Sequence, residues 1–147
     1  MPNRSSLAAR TAPVQLLAPA NRTATATSNV LDTRDCDDVA LLFSVGAPGD
    51  TLAPNLKAEL EVQESDDNAT FTPVANTDLT YSEAGTNVGT AKVIDGNAKA
   101  NSVYIVGYKG YKRFIRCVDR RTGAHTNGTP TAINALKGRN RVSPTNN

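Results

Sequence analysis

Apolar and polar positions in this chain alternate with a period of two where they are regular at all. In residues 56–63, Leu56, Ala58, Leu60 and Val62 alternate with Lys57, Glu59, Glu61 and Gln63. Successive side chains of a strand point to opposite faces, whereas a helix would spread these four apolar positions around its surface. The segment predicts a strand with one face buried and the other solvated. Residues 39–45 form a short apolar run ended by Gly46-Ala47-Pro48-Gly49, which predicts a strand buried on both sides or nearly so. Thr23, Thr25 and Thr27 alternate with Ala24 and Ala26, a second period-two segment, rich in β-branched residues.

Turn chemistry separates these segments. Asp and Asn bond their own backbone and tolerate left-handed dihedrals, so Ser65-Asp66-Asp67-Asn68 predicts a hairpin, with Phe71 and Val74 facing the core. Further strands are expected over 88–94, 102–108, 112–118 and 129–136, with Gly110 turning the chain between the second and third of these runs. Residues 75–100, rich in Asn, Thr, Gly and Asp, predict a long exposed loop with one or two weak strands. About eight short strands and no convincing helix indicate an all-β fold, an antiparallel β-sandwich of jelly-roll type. The sandwich is expected over 22–138 and a polar tail over 139–147. Residues 1–21 read as an extended N-terminal arm, punctuated by Pro2, Pro13 and Pro19, with one helical turn at 5–10.

At 147 residues and 15.5 kDa the chain makes one domain. Its longest apolar run has five residues, too short to span a bilayer, and the N-terminus shows no apolar stretch of secretory type. The chain is expected to stay in the compartment where it is made. Net charge is only +2, but its distribution is uneven. Residues 1–22 carry Arg4, Arg10 and Arg22 without an acid; residues 32–83 carry twelve of the fourteen acids; residues from 109 onward carry nine bases against Asp119. Either the molecule is polarised, which suits head-to-tail contacts between copies, or the halves interleave in the fold and cancel.

Candidate chemistry is sparse. Asp35, Asp37 and Asp38 flank Cys36, and Glu64, Asp66 and Asp67 crowd one turn, but neither has the alternating ligand spacing of a calcium loop. Both read as solvated turns. His125 lies in a loop with no nucleophile elbow near it, and one His with two Cys excludes most metal sites. No catalytic residue, metal or cofactor is therefore expected. Cys36 and Cys117 read as small hydrophobes, reduced in a cytoplasmic setting. Residues 107–113 (Gly-Tyr-Lys-Gly-Tyr-Lys-Arg) have the composition of a nucleic-acid surface. Because Lys112, Arg113 and Arg116 lie on a short strand among Phe114, Ile115 and Val118, a strand–turn–strand with Tyr on the core edge and Lys in solvent is favoured.

Two stretches carry a resemblance. Residues 62–74, Val-Gln-Glu-Ser-Asp-Asp-Asn-Ala-Thr-Phe-Thr-Pro-Val, are similar to the "VQESDDGxxFxxV" hairpin of small structural proteins of tailed bacteriophages. Residues 106–116 resemble the "VGYxGxKRYVR" segment of the same proteins, and Asp32-Thr33 with 39–46 fits their pattern. Asn68 replaces the usual turn Gly, and Phe114 the usual Tyr. The hairpin and the second segment also resemble discoidin-like carbohydrate-binding jelly rolls, which supports the sandwich rather than a ligand. Sugar-binding faces rely on aromatic platforms, and this chain has no Trp and only 5% aromatic residues.

The phage resemblance implies a virion protein made in the host cytoplasm and placed on the capsid surface, of decoration (cement) type and not an enzyme. Its implied partners are the major capsid protein and neighbouring copies of itself, with no membrane and no direct nucleic-acid role. A carbohydrate-binding or host-attachment module, or a head–tail connector or tail component, would use the same fold. The arm is the expected contact. Ordering residues 2–20 costs roughly 1–2 kcal/mol each, more than Val14, Leu16 and Leu17 can return, so the arm should be disordered until it crosses a neighbour. There it would bury those three, add a strand to the neighbour's sheet, and pair Arg4, Arg10 and Arg22 with acids. Deleting residues 2–20 is then expected to leave the sandwich folded.

Overall fold

The computed structural model describes residues 6–83, 85 and 87–139. Strands alternate between two antiparallel sheets that pack face to face. In chain order they are β1 (Thr11–Arg22), β2 (Ala26–Thr27), β3 (Leu31–Asp32), β4 (Asp38–Val45), β5 (Lys57–Ser65), β6 (Thr72–Pro73), β7 (Leu79–Thr80), β8 (Thr90–Ile94), β9 (Ser102–Tyr108), β10 (Phe114–Thr122) and β11 (Thr129–Gly138). The first sheet has the order β1-β11-β4-β9-β7. The second is built on β10 and β5, with β2 and β3 sharing the free edge of β10, and β6 and β8 sharing that of β5. Counting each shared edge as one broken strand, and setting aside the two-residue β7, leaves eight strands that change sheet at every step but one, the β5–β6 hairpin within the second sheet. That is the two-sheet order of a jelly roll.

The inward sides interdigitate as the period-two patterns require. Leu41, Phe43 and Val45 of β4 and Val106 of β9 meet Leu60 and Val62 of β5, Ile94 of β8, and Ile115 and Cys117 of β10. At the tip of the β5–β6 hairpin, Asp67 Oδ1 accepts the backbone N–H groups of Ala69 (2.9 Å) and Thr70 (2.8 Å), while Asn68 takes φ 58°. An Asn tolerates that left-handed conformation, so it can stand where Gly is usual. No helix among the described residues is long and apolar enough to cross a membrane.

The structure corrects the boundary of the arm. Residues 11–22 are β1, paired with β11 from Thr11↔Gly138 to Arg22↔Thr129 with two irregularities. Leu16 is 2% exposed in the core, and Val14 and Leu17 pack against it. At the first irregularity the Leu16 carbonyl accepts the Asn29 N–H (2.9 Å), tying β1 to the second sheet. Summing apolar residues along the segment missed this. A strand on the sheet edge obtains its order from one paired partner and from the core beneath, without needing a core of its own. The expected tail over 139–147 falls almost wholly outside the described residues.

Three smaller expectations also change. Strand structure in 23–27 shrinks to Ala26–Thr27. Phe71 is only partly buried, with the Arg116 guanidinium 4.1 Å over its ring, whereas Val74 does reach the core. The outer face of β5 is not solvated: Glu59 and Glu61 are each 1% exposed. Because β5 lies between β10 and β8, long side chains on the flanking positions lie across it.

Leu16→Ala therefore tests β1 as part of the fold. Removing this buried side chain should cost about 2–5 kcal/mol, read from urea unfolding. A loss near zero would return residues 11–22 to the status of an arm.

Candidate functional site

The uneven charge of the sequence is settled by strand pairing. The acidic β5 lies beside the basic β10 in nine-residue register, so the two runs neutralise each other within one sheet. Arg120 Nε donates to Glu61 Oε2 (2.9 Å), Gln63 Nε2 donates to Glu61 Oε1 (2.7 Å), and Arg116 Nε donates to Gln63 Oε1 (2.7 Å). Lys57 Nζ stands 3.2 Å from Glu59. The halves interleave, and the polarised molecule is not formed.

Where β10 passes the end of the core, two of its charged residues turn inward. Arg121 donates to both oxygens of Asp119 (3.1 and 2.8 Å), and the Asp119 side chain is fully buried. Thr131 donates its hydroxyl to the same carboxylate, and Arg22 Nε lies 3.9 Å away. A buried carboxylate needs such partners, since an ion removed from water without them is very costly. Arg22 is thus used inside its own fold.

At the opposite end, the loop 33–37 between β3 and β4 and the loop 109–113 between β9 and β10 enclose an open cleft of about 440 Å³. Its floor includes Cys36, Val39 and Tyr108. The Tyr108 hydroxyl donates to Glu64 (2.6 Å) and accepts the Lys112 N–H (3.2 Å). Burial, reinforced by the Glu64 carboxylate, pushes this phenol above its ordinary value. Arg113 grips Asp32 with two bonds (3.0 and 2.7 Å), which holds the Asp32 carboxyl down at about 2. Lys137 pairs with Asp35, and Arg139 with Asp38 (2.9 Å). Tyr111 stands fully exposed at the rim. The basic-aromatic segment is therefore a strand–turn–strand in which Tyr108 covers the core edge, as expected, while Tyr111 does not.

Of the residues assigned to partner contact, Arg4 lies outside the described residues. Arg10 is exposed at the end of a short 3₁₀ turn over Leu7–Ala9. Val14, Leu16, Leu17 and Arg22 are engaged internally, so the structure does not bring the six together as a surface. His125 is buried, with Nε2 3.2 Å from the Lys57 carbonyl and 3.1 Å from that of Thr122. It packs the 123–128 loop, which Asp50 closes by accepting the N–H groups of Asn127 (3.0 Å) and Gly128 (2.8 Å). Cys36 and Cys117 are free thiols, both buried, and burial pushes Cys117 up to about 12.

The surface that strand-by-strand reading missed is the outer face of the first sheet, where Val103 and Ile105 are 64% and 50% exposed. Its signal is an absence of charge: residues 11–21, 39–45, 102–108 and 129–136 contain no Asp, Glu, Lys or Arg. No protein-family model matches the chain, and no curated protein matches it.

Two measurements check this account. Asp32 and Asp67, the latter held down chiefly by the Thr70 and Ala69 amides, both titrate at about 2 instead of 3.8. A carboxyl depressed in the folded state adds stability that is present above its unfolded value and lost as pH falls through the folded one. The melting temperature should decline across that window, and Asp32→Asn with Asp67→Asn should flatten the decline; an equally steep fall in the double variant refutes the assignment. Thiol titration at pH 8 should label neither cysteine quickly in the native protein and both in urea. Rapid native labelling of Cys117 would contradict its burial.

Proposed function

We propose that this chain is a structural protein of a tailed-phage virion, which coats the capsid by binding the capsid lattice and neighbouring copies. Its work is binding and not catalysis. The observation that carries the reading is the uncharged outer face of the first sheet, which exposes Val103 and Ile105 on a framework whose ionic groups brace strands and loops. An apolar patch on a small, cross-braced domain marks a protein contact surface. The likeness of residues 62–74 and 106–116 to phage structural proteins supplies the setting, and the jelly roll is a fold shared by capsid and lectin domains. Fold alone does not fix function, so the setting rests on those residues.

One observation favours a second reading, a carbohydrate-binding or host-attachment module. Tyr111 is fully exposed beside the cleft between residues 33–37 and 109–113 and offers one aromatic face to a sugar. A decoration protein needs no glycan, so glycan-array binding abolished by Tyr111→Ala would favour this alternative.

Quantitative mass spectrometry of purified particles tests the first reading. Copies on the order of hundreds per particle, in proportion to capsid protein as lattice symmetry requires, are expected. A dozen or fewer would move the chain to a connector or fibre, and absence from particles would end the virion reading.

A further inference from the structure

Charge is segregated by sheet. β5 and β10 carry eight charged residues between them. The lengths of β1, β4, β9 and β11 that form the body of the first sheet carry none, and charge returns only at strand ends, as Arg22, Asp38 and Lys137. On the outer side of that sheet Leu42 lies beside Ile105 on one flank and Asn134 on the other. One step along, Val103 and Ala132 flank Ser44 in the same way, and Leu136 extends the row. The opposite sheet is covered by its own ion pairs; on this one Val103 and Ile105 stand exposed, with Leu42 and Leu136 partly exposed beside them and Ala132 buried between its neighbours.

We infer that this face is the contact between two copies of the chain, stacked sheet on sheet about a two-fold axis. Charge complementarity selects the occupant. A partner bringing Lys, Arg, Asp or Glu here would strip water from a charge and find no counter-charge to receive it. The apposed surface must itself be uncharged and gently twisted in the same sense. The chain carries such a surface, namely this face, and an isologous contact apposes a patch to itself. Facing sheets of the same twist pack about 10 Å apart with side chains interdigitated.

Area sets the strength. Four long strands spaced about 4.8 Å apart, each about eight residues long at ~3.4 Å per residue, make a face of about 500 Å². Two such faces bury about 1,000 Å² in total, the lower limit for a specific interface. The contact is therefore reversible in dilute solution and is filled where copies are held close together. This deepens the proposed function by naming the surface through which neighbouring copies meet, and it rests on that reading for its biological setting only.

The test is sedimentation velocity of the full chain from low micromolar to near-millimolar concentration. The mass should rise from that of one chain, 15.5 kDa, to that of two. Val103→Lys with Ile105→Lys should hold the mass at one chain throughout while the melting temperature stays near that of the parent, because both side chains already stand in solvent. Lys109→Glu, in the cleft, should leave dimerisation unchanged. A parent that remains monomeric at the highest concentration, a dimer that survives the double substitution, or a trimer or open polymer would overturn the inference. Particle composition keeps the two readings apart. A dimer broken by the double substitution but absent from particles upholds this contact and ends the virion reading. A strictly monomeric parent that fills particles does the reverse, and loss of its occupancy on double substitution would assign the face to the capsid.

Discussion

The pairing of β5 with β10 is the constraint on which the rest of the molecule depends. Nine consecutive residue pairs join segments some fifty or more positions apart in sequence. This single ladder does three things. It places Val62 and Cys117 side by side in the core, cancels an acidic run against a basic one, and provides the two edges on which β2, β3, β6 and β8 are laid. The strands alternate between sheets, so chain neighbours seldom pair, and loop closure must be met before any ladder stabilises the fold. Alternating apolar residues alone would permit a slip of two along this ladder. Opposite-charge and amide partners such as Glu61 with Arg120 and Gln63 with Arg116 favour the observed register.

The same ladder explains why the two sides of the sandwich differ. Once β5 and β10 have drawn most strand charges into one sheet, the other is left to β1, β4, β9 and β11, whose bodies contain none. Asp119 and Arg121 are the exception, since they face inward and meet Arg22 and Thr131 from the first sheet. That cluster clamps the two sheets at one end, and its cost in desolvation is offset only while every partner is present. At the other end the sheets are joined by Tyr108 of β9, whose hydroxyl donates to Glu64 of β5, while Lys137 of β11 holds Asp35 in the loop from β3 to β4.

Local alternation made most of the framework legible. Residues 56–63 read as a strand because their side chains declare a face, and 39–45 because an apolar run ends in turn residues, although its Leu42 and Ser44 prove partly exposed instead of buried on both sides. Asp67 with Asn68 declared the hairpin through turn chemistry. What failed was anything decided by a partner strand. Leu16 reads as an isolated hydrophobe in a proline-rich arm until β11 lies beside it. Glu59 and Glu61 read as solvated until Arg120 and Lys57 cover them. The cleft is built from loops some seventy-five residues apart, which no spacing rule connects. The uncharged face was visible in principle, as four charge-free runs, but their adjacency is a property of topology and not of any one run.

Topology also decides which surfaces remain for association. β1 is the longest strand on an edge, and it is a poor template for strand addition: Pro13 and Pro19 lack an N–H, and the ladder is irregular between Gln15 and Ala20. β7 is two residues long, and the second sheet ends in the broken pairs β2 with β3 and β6 with β8. Every edge is thus short, interrupted or blocked, which disfavours the strand exchange that an N-terminal arm would have made. Contacts through faces remain, and a face that meets its own copy closes after two molecules instead of propagating. Blocked edges and one uncharged face together permit a closed pair and disfavour fibres.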